Sequence, residues 1–132
     1  MVIVDSDVWS EVFRCRSAEP SSYTNKLESL ILKDEVVIIG AIRQEVLSGI
    51  KNEIQFDKVK HSLKSFPDVP LTEDVYEIVA SFYNRCRSNG VQGPHTDFLI
   101  CACSAVFYLD ILSKDREYEH YSEYLPIRIC HR

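Results

Sequence analysis

Short, entirely apolar runs recur along this chain with an acidic residue beside them. Residues 2–4 read Val-Ile-Val and are followed by Asp5, and residues 36–39 read Val-Val-Ile-Ile and are soon followed by Glu45. A run of this kind is typical of a strand that is buried on both faces of a parallel sheet. The carboxyl ends of such strands meet at one crevice, so acids placed there are predicted to converge. The acids in positions of this kind are Asp5, Glu45, Asp97 and Asp115.

The rest of the chain alternates between strand and helix. Strands are predicted over residues 2–4, 35–39, 109–112 and 127–130. Helices are predicted over residues 7–14, 52–65, 73–89, 95–108 and 116–124, and around two apolar sets, Leu27/Leu30/Ile31 and Ile42/Val46/Leu47/Ile50. Ser6 and Thr72 are predicted N-caps, and Asn89-Gly90 a left-handed helix end. This alternation favours a mostly parallel sheet with right-handed crossovers and helices on both faces.

Length and composition set further limits. A chain of 132 residues with 45% hydrophobic and 27% charged residues is predicted to form one domain, residues 1–132. No apolar run approaches the ~20 residues that cross a bilayer, and the first residues lack the basic start of a signal peptide, so we expect a cytoplasmic protein without a membrane partner. The five cysteines include no CxxC pair, which predicts buried, reduced thiols rather than a zinc site.

The charge balance is acidic, with a net charge of −5. Proteins that coat nucleic acids are usually basic, so this balance argues against that class. It does not exclude an enzyme that acts on RNA, because basic side chains can border an acidic site and follow phosphates. For any single basic residue, a role in keeping the protein soluble is an equally good interpretation. The basic residues predicted as possible RNA contacts are Arg14, Lys51, Lys114 and Arg116.

Each acid also has an ordinary structural interpretation. Asp5 could be a cap or a paired structural aspartate, and Glu45 a common exposed helix residue. Asp97 would suit the first turn of a helix, where the dipole favours an acid. Asp115 could be a turn residue, and Asp110 competes with it for the fourth position. Four carboxylates gathered in one crevice would repel one another unless a hard divalent cation held them, and oxygen ligands suit Mg²⁺ or Mn²⁺.

Five segments match, in order, the motifs of a known family: residues 2–9, 45–49, 95–102, 114–118 and 125–129. The first segment resembles the family's apolar opening that ends in aspartate, and the second resembles its glutamate followed by a leucine and a small-residue turn. In the third segment an aspartate heads an apolar helix, and in the fourth an aspartate precedes an aromatic helix start. The fifth segment resembles the family's last strand. This set resembles the PIN-domain ribonucleases, especially the VapC toxins of toxin–antitoxin pairs. No single motif is specific, but the ordered set covers nearly the whole chain.

The resemblance implies a three-layer α/β/α sandwich, of the α/β class, and a magnesium- or manganese-dependent endoribonuclease. By position, Asp5, Glu45, Asp97 and Asp115 would form the catalytic and metal-binding set, with Ser6 in support. A cation held by carboxylates lowers the pKa of its bound water, so no side-chain nucleophile is required. The resemblance also implies an RNA substrate, a small antitoxin protein that wraps the toxin, and a homodimer.

Asp7 departs from the family pattern, which more often has serine, threonine or another small residue at this position. A fifth carboxylate in the site would recruit a second ion, or raise the pKa of its neighbours by like-charge repulsion. The favoured interpretation is that Asp7 points away from the site as an acid in the first turn of a helix.

Two alternative functions stay open. The Asp5-Ser6-Asp7 segment is similar to the nucleophile motif of haloacid dehalogenase-type phosphatases, in which Asp5 would be phosphorylated and Asp7 would be the acid/base. The chain is short for that fold and has no convincingly placed partner lysine. The other alternative is a non-catalytic PIN-like module that binds RNA or protein, against which the four intact acids argue.

Overall fold

The predicted alternation of strands and helices is confirmed by a computed structural model that describes residues 1–14 and 21–131. The described residues form four strands and seven helices, which are, in chain order, β1 (Val2–Val4), α1 (Ser6–Arg14), α2 (Ser22–Leu32), β2 (Val36–Val37), α3 (Gly40–Ser48), α4 (Glu53–Leu63), α5 (Glu73–Ser88), α6 (His95–Phe107), β3 (Asp110–Leu112), α7 (Glu117–Tyr121) and β4 (Arg128–Ile129).

The strands form one parallel sheet with the order β2-β1-β3-β4. The chain moves from β1 to β2 in one direction and from β2 back past β1 to β3 in the other. Right-handed crossovers in opposite directions place their helices on opposite faces of the sheet. The result is the predicted α/β architecture, with the sheet as the middle layer.

Helix α6 is the most apolar helix and is buried in the core. Every residue from Asp97 to Ser104 is buried, and the helix packs against α5 and β3. A helix that is apolar around most of its circumference belongs in the interior. On α1, the buried Trp9 stacks on Phe13 and packs against Phe66, which fixes this helix against the rest of the core.

Several predicted boundaries and caps differ from the structure. The second strand pairs with β1 only over Val36–Val37, and the next residue, Ile38, forms an isolated bridge with Asp68. Helix α1 begins at Ser6 itself, so Ser6 does not cap it. Thr72 occupies the N-cap position of α5, but its side chain makes no capping hydrogen bond. Gly90 has a φ of 78°, which confirms the left-handed helix end.

The predicted burial of the cysteines is confirmed for three of the four that the structure describes. Cys86, Cys101 and Cys103 are buried free thiols, and Cys130 is a half-buried one. Cys15 lies outside the described residues. Within the described ranges, no helix has the length and apolar character needed to cross a membrane.

Candidate active site

The parallel register brings Asp5 and Ser113 together at the carboxyl edge of the sheet. Val4 and Leu112 are register partners, and Asp5 and Ser113 are the residues that directly follow them in the chain. The Ser113 hydroxyl donates to Asp5 Oδ2 at 2.8 Å, and the backbone N–H of Ser6 donates to Asp5 Oδ1 at 2.7 Å. Asp5 is only 8% exposed, so its carboxylate is held in a fixed position inside the crevice.

Asp97 enters the same crevice from the first turn of α6 and is 9% exposed. Its Oδ2 accepts a hydrogen bond of 2.7 Å from the Tyr121 hydroxyl. The Tyr118 hydroxyl lies 3.4 Å from Asp97 Oδ1 and 3.4 Å from Asp5 Oδ2. These two distances are long for O–H···O bonds, and one hydroxyl has a single proton to donate. Tyr118 therefore lies between the two buried carboxylates without satisfying either fully.

Asp7 turns into the crevice, so the interpretation that it points away is wrong. Its Oδ2 accepts from the backbone N–H of Lys114 at 3.1 Å and lies 3.2 Å from the Ser113 hydroxyl. Its Oδ1 is buried without a hydrogen-bond partner among the residues described. The reason is geometric: the turn from β1 into α1 directs both Asp5 and Asp7 toward the end of β3. Burial, followed by the charge of Asp5, raises the pKa of Asp7 to about 6.

Glu45 and Asp115 are exposed at the rim of this cluster. Partial burial and the charge of Asp5 raise the pKa of Glu45, against a lowering hydrogen bond from Ser6. Asp115 Oδ1 accepts from the backbone N–H of Glu117 at 2.9 Å. Its charge contributes to the raised pKa values of Asp5 and Asp97. Glu45, Asp97 and Asp115 are thus each within electrostatic reach of Asp5.

The competition between Asp110 and Asp115 is resolved by the register. Asp110 is the first residue of β3 and lies opposite Val2, at the amino edge of the sheet. It forms an ion pair of 2.8 Å with Arg128 on β4. Asp110 therefore lies at the opposite edge of the sheet from the acidic crevice, and Asp115 remains as the fourth acid.

The acids of the crevice have no cationic partner among residues 1–14 and 21–131. The ion pairs there join Arg43 to Asp68, Lys114 to Glu11 and Arg128 to Asp110. Burial is the largest cause of the raised pKa values of Asp5 and Asp97, and burial raises that of Asp97 to about 6 despite the Tyr121 hydrogen bond. Buried carboxylates without a cation are costly, and proteins usually pair them or use them to bind metals.

The donor set fits a hard divalent cation in its chemistry, since it consists of carboxylate oxygens. Nevertheless, no group of three His, Cys, Asp or Glu side chains in the described part of the chain is gathered closely enough to hold a metal ion. The hydroxyls of Ser113 and Tyr118 lie between the carboxylates.

Three site residues were not predicted from the sequence: Ser113, Tyr121 and Gly93. Tyr118 belonged to a matched segment, but its contact with the acids was not foreseen. Tyr121 lies three residues further along the same helix, and this spacing places both hydroxyls on one helix face, which is a signal that the sequence does contain. Ser113 follows β3 as Asp5 follows β1, so the register of the sheet is needed to pair them. Nothing in the sequence indicates the role of Gly93.

Gly93→Ala is expected to destabilise the protein by about 1–3 kcal/mol, as overpacking of a dense region usually does. A Cβ at Gly93 would overlap the Tyr121 hydroxyl and lie 3.5 Å from Asp97 Oδ2. Urea unfolding measures the change. The matched control is Gly40→Ala, whose added Cβ meets nothing within 4 Å and should change stability by less than about 0.5 kcal/mol. Equal effects of the two substitutions would contradict the packing argument.

The predicted basic residues fall into two groups. Lys114 and Arg116 line a cleft of about 500 Å³ together with Asp115 and Tyr118, next to the acids. Lys114 also lies 3.4 Å from Glu11. Arg14 and Lys51 line a separate cleft, described below.

Fold and site together define a class of α/β protein in which carboxylates converge at the carboxyl edge of a four-stranded parallel sheet. The PIN domain family model matches residues 2–124. The chain belongs to the PIN domain family.

Solved structures with the same fold span nearly the whole chain. FitAcB from Neisseria gonorrhoeae is 21% identical with a TM-score of 0.77, and covers 99% of this chain and 97% of its own. VapBC2 from Rickettsia felis, bound to a DNA fragment from its promoter, is 15% identical with a TM-score of 0.77, and covers 99% of this chain and 98% of its own. A toxin–antitoxin complex from Klebsiella pneumoniae is 15% identical with a TM-score of 0.70, and covers 89% of this chain and 90% of its own. No curated protein sequence matches the chain significantly.

Proposed function

We propose that this protein is a divalent-metal-dependent endoribonuclease that acts as the toxin of a toxin–antitoxin pair. The observation that carries the proposal is the buried carboxylate pair Asp5 and Asp97, which has no cationic partner in the described residues and has raised pKa values. Carboxylates that meet at the carboxyl edge of a parallel sheet suit a metal-assisted hydrolase. Membership of the PIN family supports the same chemistry.

The proposed mechanism assigns Mg²⁺ or Mn²⁺ to Asp5 and Asp97, with Asp115, Glu45 and Asp7 around them. When bound, such a cation lowers the pKa of its water and stabilises charge on the scissile phosphate. Before it binds, the hydroxyls of the site hold the carboxylates in place. Glu45 is exposed and has a raised pKa, so it suits the removal of a proton from the attacking water. The basic side chains that would attract the phosphate beside Asp115 are Lys114 and Arg116.

The partners are proposed from the similar structures. The Klebsiella pneumoniae structure is a toxin–antitoxin complex, and we propose that this chain likewise binds a small antitoxin protein. Cleavage of cellular RNA implies action in the cytoplasm. The homodimer stays a prediction.

The phosphatase alternative loses its support. It requires Asp7 to be free to act as acid/base toward a phosphoryl group on Asp5, whereas Asp7 Oδ2 accepts from the backbone N–H of Lys114 and lies 3.2 Å from the Ser113 hydroxyl. Membership of the PIN family also assigns the chain to a different fold. The non-catalytic alternative has one observation in its favour, which is that hydroxyls separate the carboxylates.

Cleavage of a structured RNA pool by the purified protein tests the proposal. We expect cleavage with Mg²⁺ or Mn²⁺, none with a chelator, and none with Asp97→Asn protein prepared identically. Cleavage that survives both controls would indicate a contaminating ribonuclease. Absence of cleavage, with cation binding measured by calorimetry on the same sample, would favour the non-catalytic module.

A further inference from the structure

A second cleft, of about 680 Å³, lies where the ends of α1 and α3 meet the start of α4. It is separate from the cleft that contains Asp115. The described residues that line it are Phe13, Arg14, Gly49, Ile50, Lys51, Asn52 and Gln55.

The described residues of this cleft carry a charge opposite to that of the whole protein. The chain carries 20 acidic and 15 Lys and Arg residues, yet none of the described lining residues is acidic. The guanidinium of Arg14 donates only to the Ser10 carbonyl oxygen, at 3.2 Å, and Lys51 forms no ion pair within the described ranges. Among the described residues, neither cation has an acidic partner, so both side chains can contribute to binding an anionic ligand. The cleft beside Asp115 is different, because Asp115 and Glu119 line it together with its cations.

The Asn52 side chain adds hydrogen-bond donors to the cleft. Asn52 Oδ1 accepts from the backbone N–H of Gln55 at 2.9 Å, which leaves the Asn52 amide N–H groups to donate. These residues start α4, an eleven-residue helix whose dipole favours an anion at this end. Phe13 adds an aromatic ring, half-buried against Trp9 with a centroid distance of 6.0 Å. Cations beside an aromatic ring are the combination that binds single-stranded nucleic acids.

The cleft lies within reach of the acidic site along two helices. Helix α1 begins beside Asp5 and ends at Arg14, which at 1.5 Å per residue is a distance of about 12 Å. Helix α3 carries Glu45 about one turn before Gly49, at the edge of the cleft. A strand whose scissile phosphate lies at the acids would therefore pass this cleft within a few nucleotides.

We propose that this cleft binds the phosphate backbone of single-stranded RNA that flanks the cleavage site, with Arg14 and Lys51 as the phosphate contacts. The proposal rests on the endoribonuclease function proposed above. It gives the enzyme a preference for substrates with an unpaired flank, which the acidic crevice alone would not supply.

The test measures binding of a single-stranded RNA of about twelve nucleotides to the full chain in chelator, across a range of salt concentrations. The variant is Arg14→Gln/Lys51→Gln. The matched control is Lys60→Gln/Lys64→Gln, which removes the same charge from exposed lysines of α4 and its C-cap outside the cleft. We expect the dissociation constant of the cleft variant to rise at least about tenfold, and its salt slope to fall by about 1.4, since each single-strand phosphate contact contributes about 0.7.

Cleavage of two substrates separates this proposal from the proposed function. With Mg²⁺, the cleft variant should lose about tenfold in kcat/KM on the long RNA and nothing on a dinucleotide that cannot reach the cleft. Equal losses in the cleft and control variants would overturn the proposal in favour of diffuse attraction. If the unaltered protein cleaves RNA and the cleft variant matches it on both substrates, only the cleft proposal falls. An unaltered protein that neither binds nor cleaves RNA would overturn both proposals.

Discussion

Asp5→Asn is expected to reduce metal-dependent RNA cleavage by more than about 100-fold, since even outer partners of metal ligands cost 10–100-fold when they are replaced. Asp5 is the most central acid of the site, because its charge raises the pKa values of Asp7, Glu45 and Asp97. Asparagine keeps the size of the side chain and one acceptor oxygen. The fold should therefore survive, which far-ultraviolet circular dichroism and urea unfolding would establish alongside the cleavage rate.

Asp110→Asn is the matched control for this variant. Asp110 is likewise an aspartate next to the central pair of strands, but it is half-buried, lies at the amino edge and pairs with Arg128 at 2.8 Å. Its replacement should leave the cleavage rate unchanged. An Asp5→Asn protein that retains more than about a tenth of the activity would contradict the assignment of the site. So would an Asp110→Asn protein that loses as much activity as the Asp5→Asn protein does.

Asp97→Asn is expected to make the cation-free protein more stable at neutral pH, by roughly 1–3 kcal/mol. Burial raises the pKa of Asp97 from 3.8 to about 6. The folded state therefore binds this proton more tightly than the unfolded state. The carboxyl favours folding fully below about pH 4, and this contribution is lost as the pH rises through about 6. Asparagine does not titrate, so the advantage of the variant should shrink toward zero as the pH falls to about 4.

Urea unfolding of both proteins in chelator, at several values between about pH 4 and 8, measures this difference. Adding Mg²⁺ at neutral pH should stabilise the unaltered protein more than the variant, because a ligand that binds only the folded state shifts the equilibrium toward it. A variant that is less stable at neutral pH, or a difference that does not change with pH, would contradict the raised pKa of Asp97.

The stability and activity predictions share one physical origin. Carboxylates that are held close together in a buried crevice without a cation cost folding free energy, and binding of the proposed cation would offset that cost. Tyr118, Tyr121 and Ser113 reduce this cost by donating hydrogen bonds. Neutralising one acid should therefore benefit the fold and harm the proposed activity.

The sequence by itself determined the order of the elements and the positions of the principal acids. The apolar run of β1 and the aspartate that ends it are local patterns, and so is the aspartate at the head of the buried α6. Parallel strands share a carboxyl edge, so Asp5 and Asp97 could be assigned to one crevice before their contacts were known. Placement beside apolar runs also singled out Glu45 and Asp115, and the resemblance of the ordered motifs assigned all four acids to one set.

Only the tertiary structure decided which side chains meet within the crevice. Asp5 and Ser113 are 108 residues apart in sequence, and the register of β1 with β3 makes them partners. The same register excludes Asp110, while the turn into α1 directs Asp7 inward against the expectation. Gly93 matters because the Tyr121 hydroxyl occupies the space of its missing side chain. Periodicity reports the face of a helix or strand that is buried, but contacts between distant segments depend on register and packing, which no local pattern encodes.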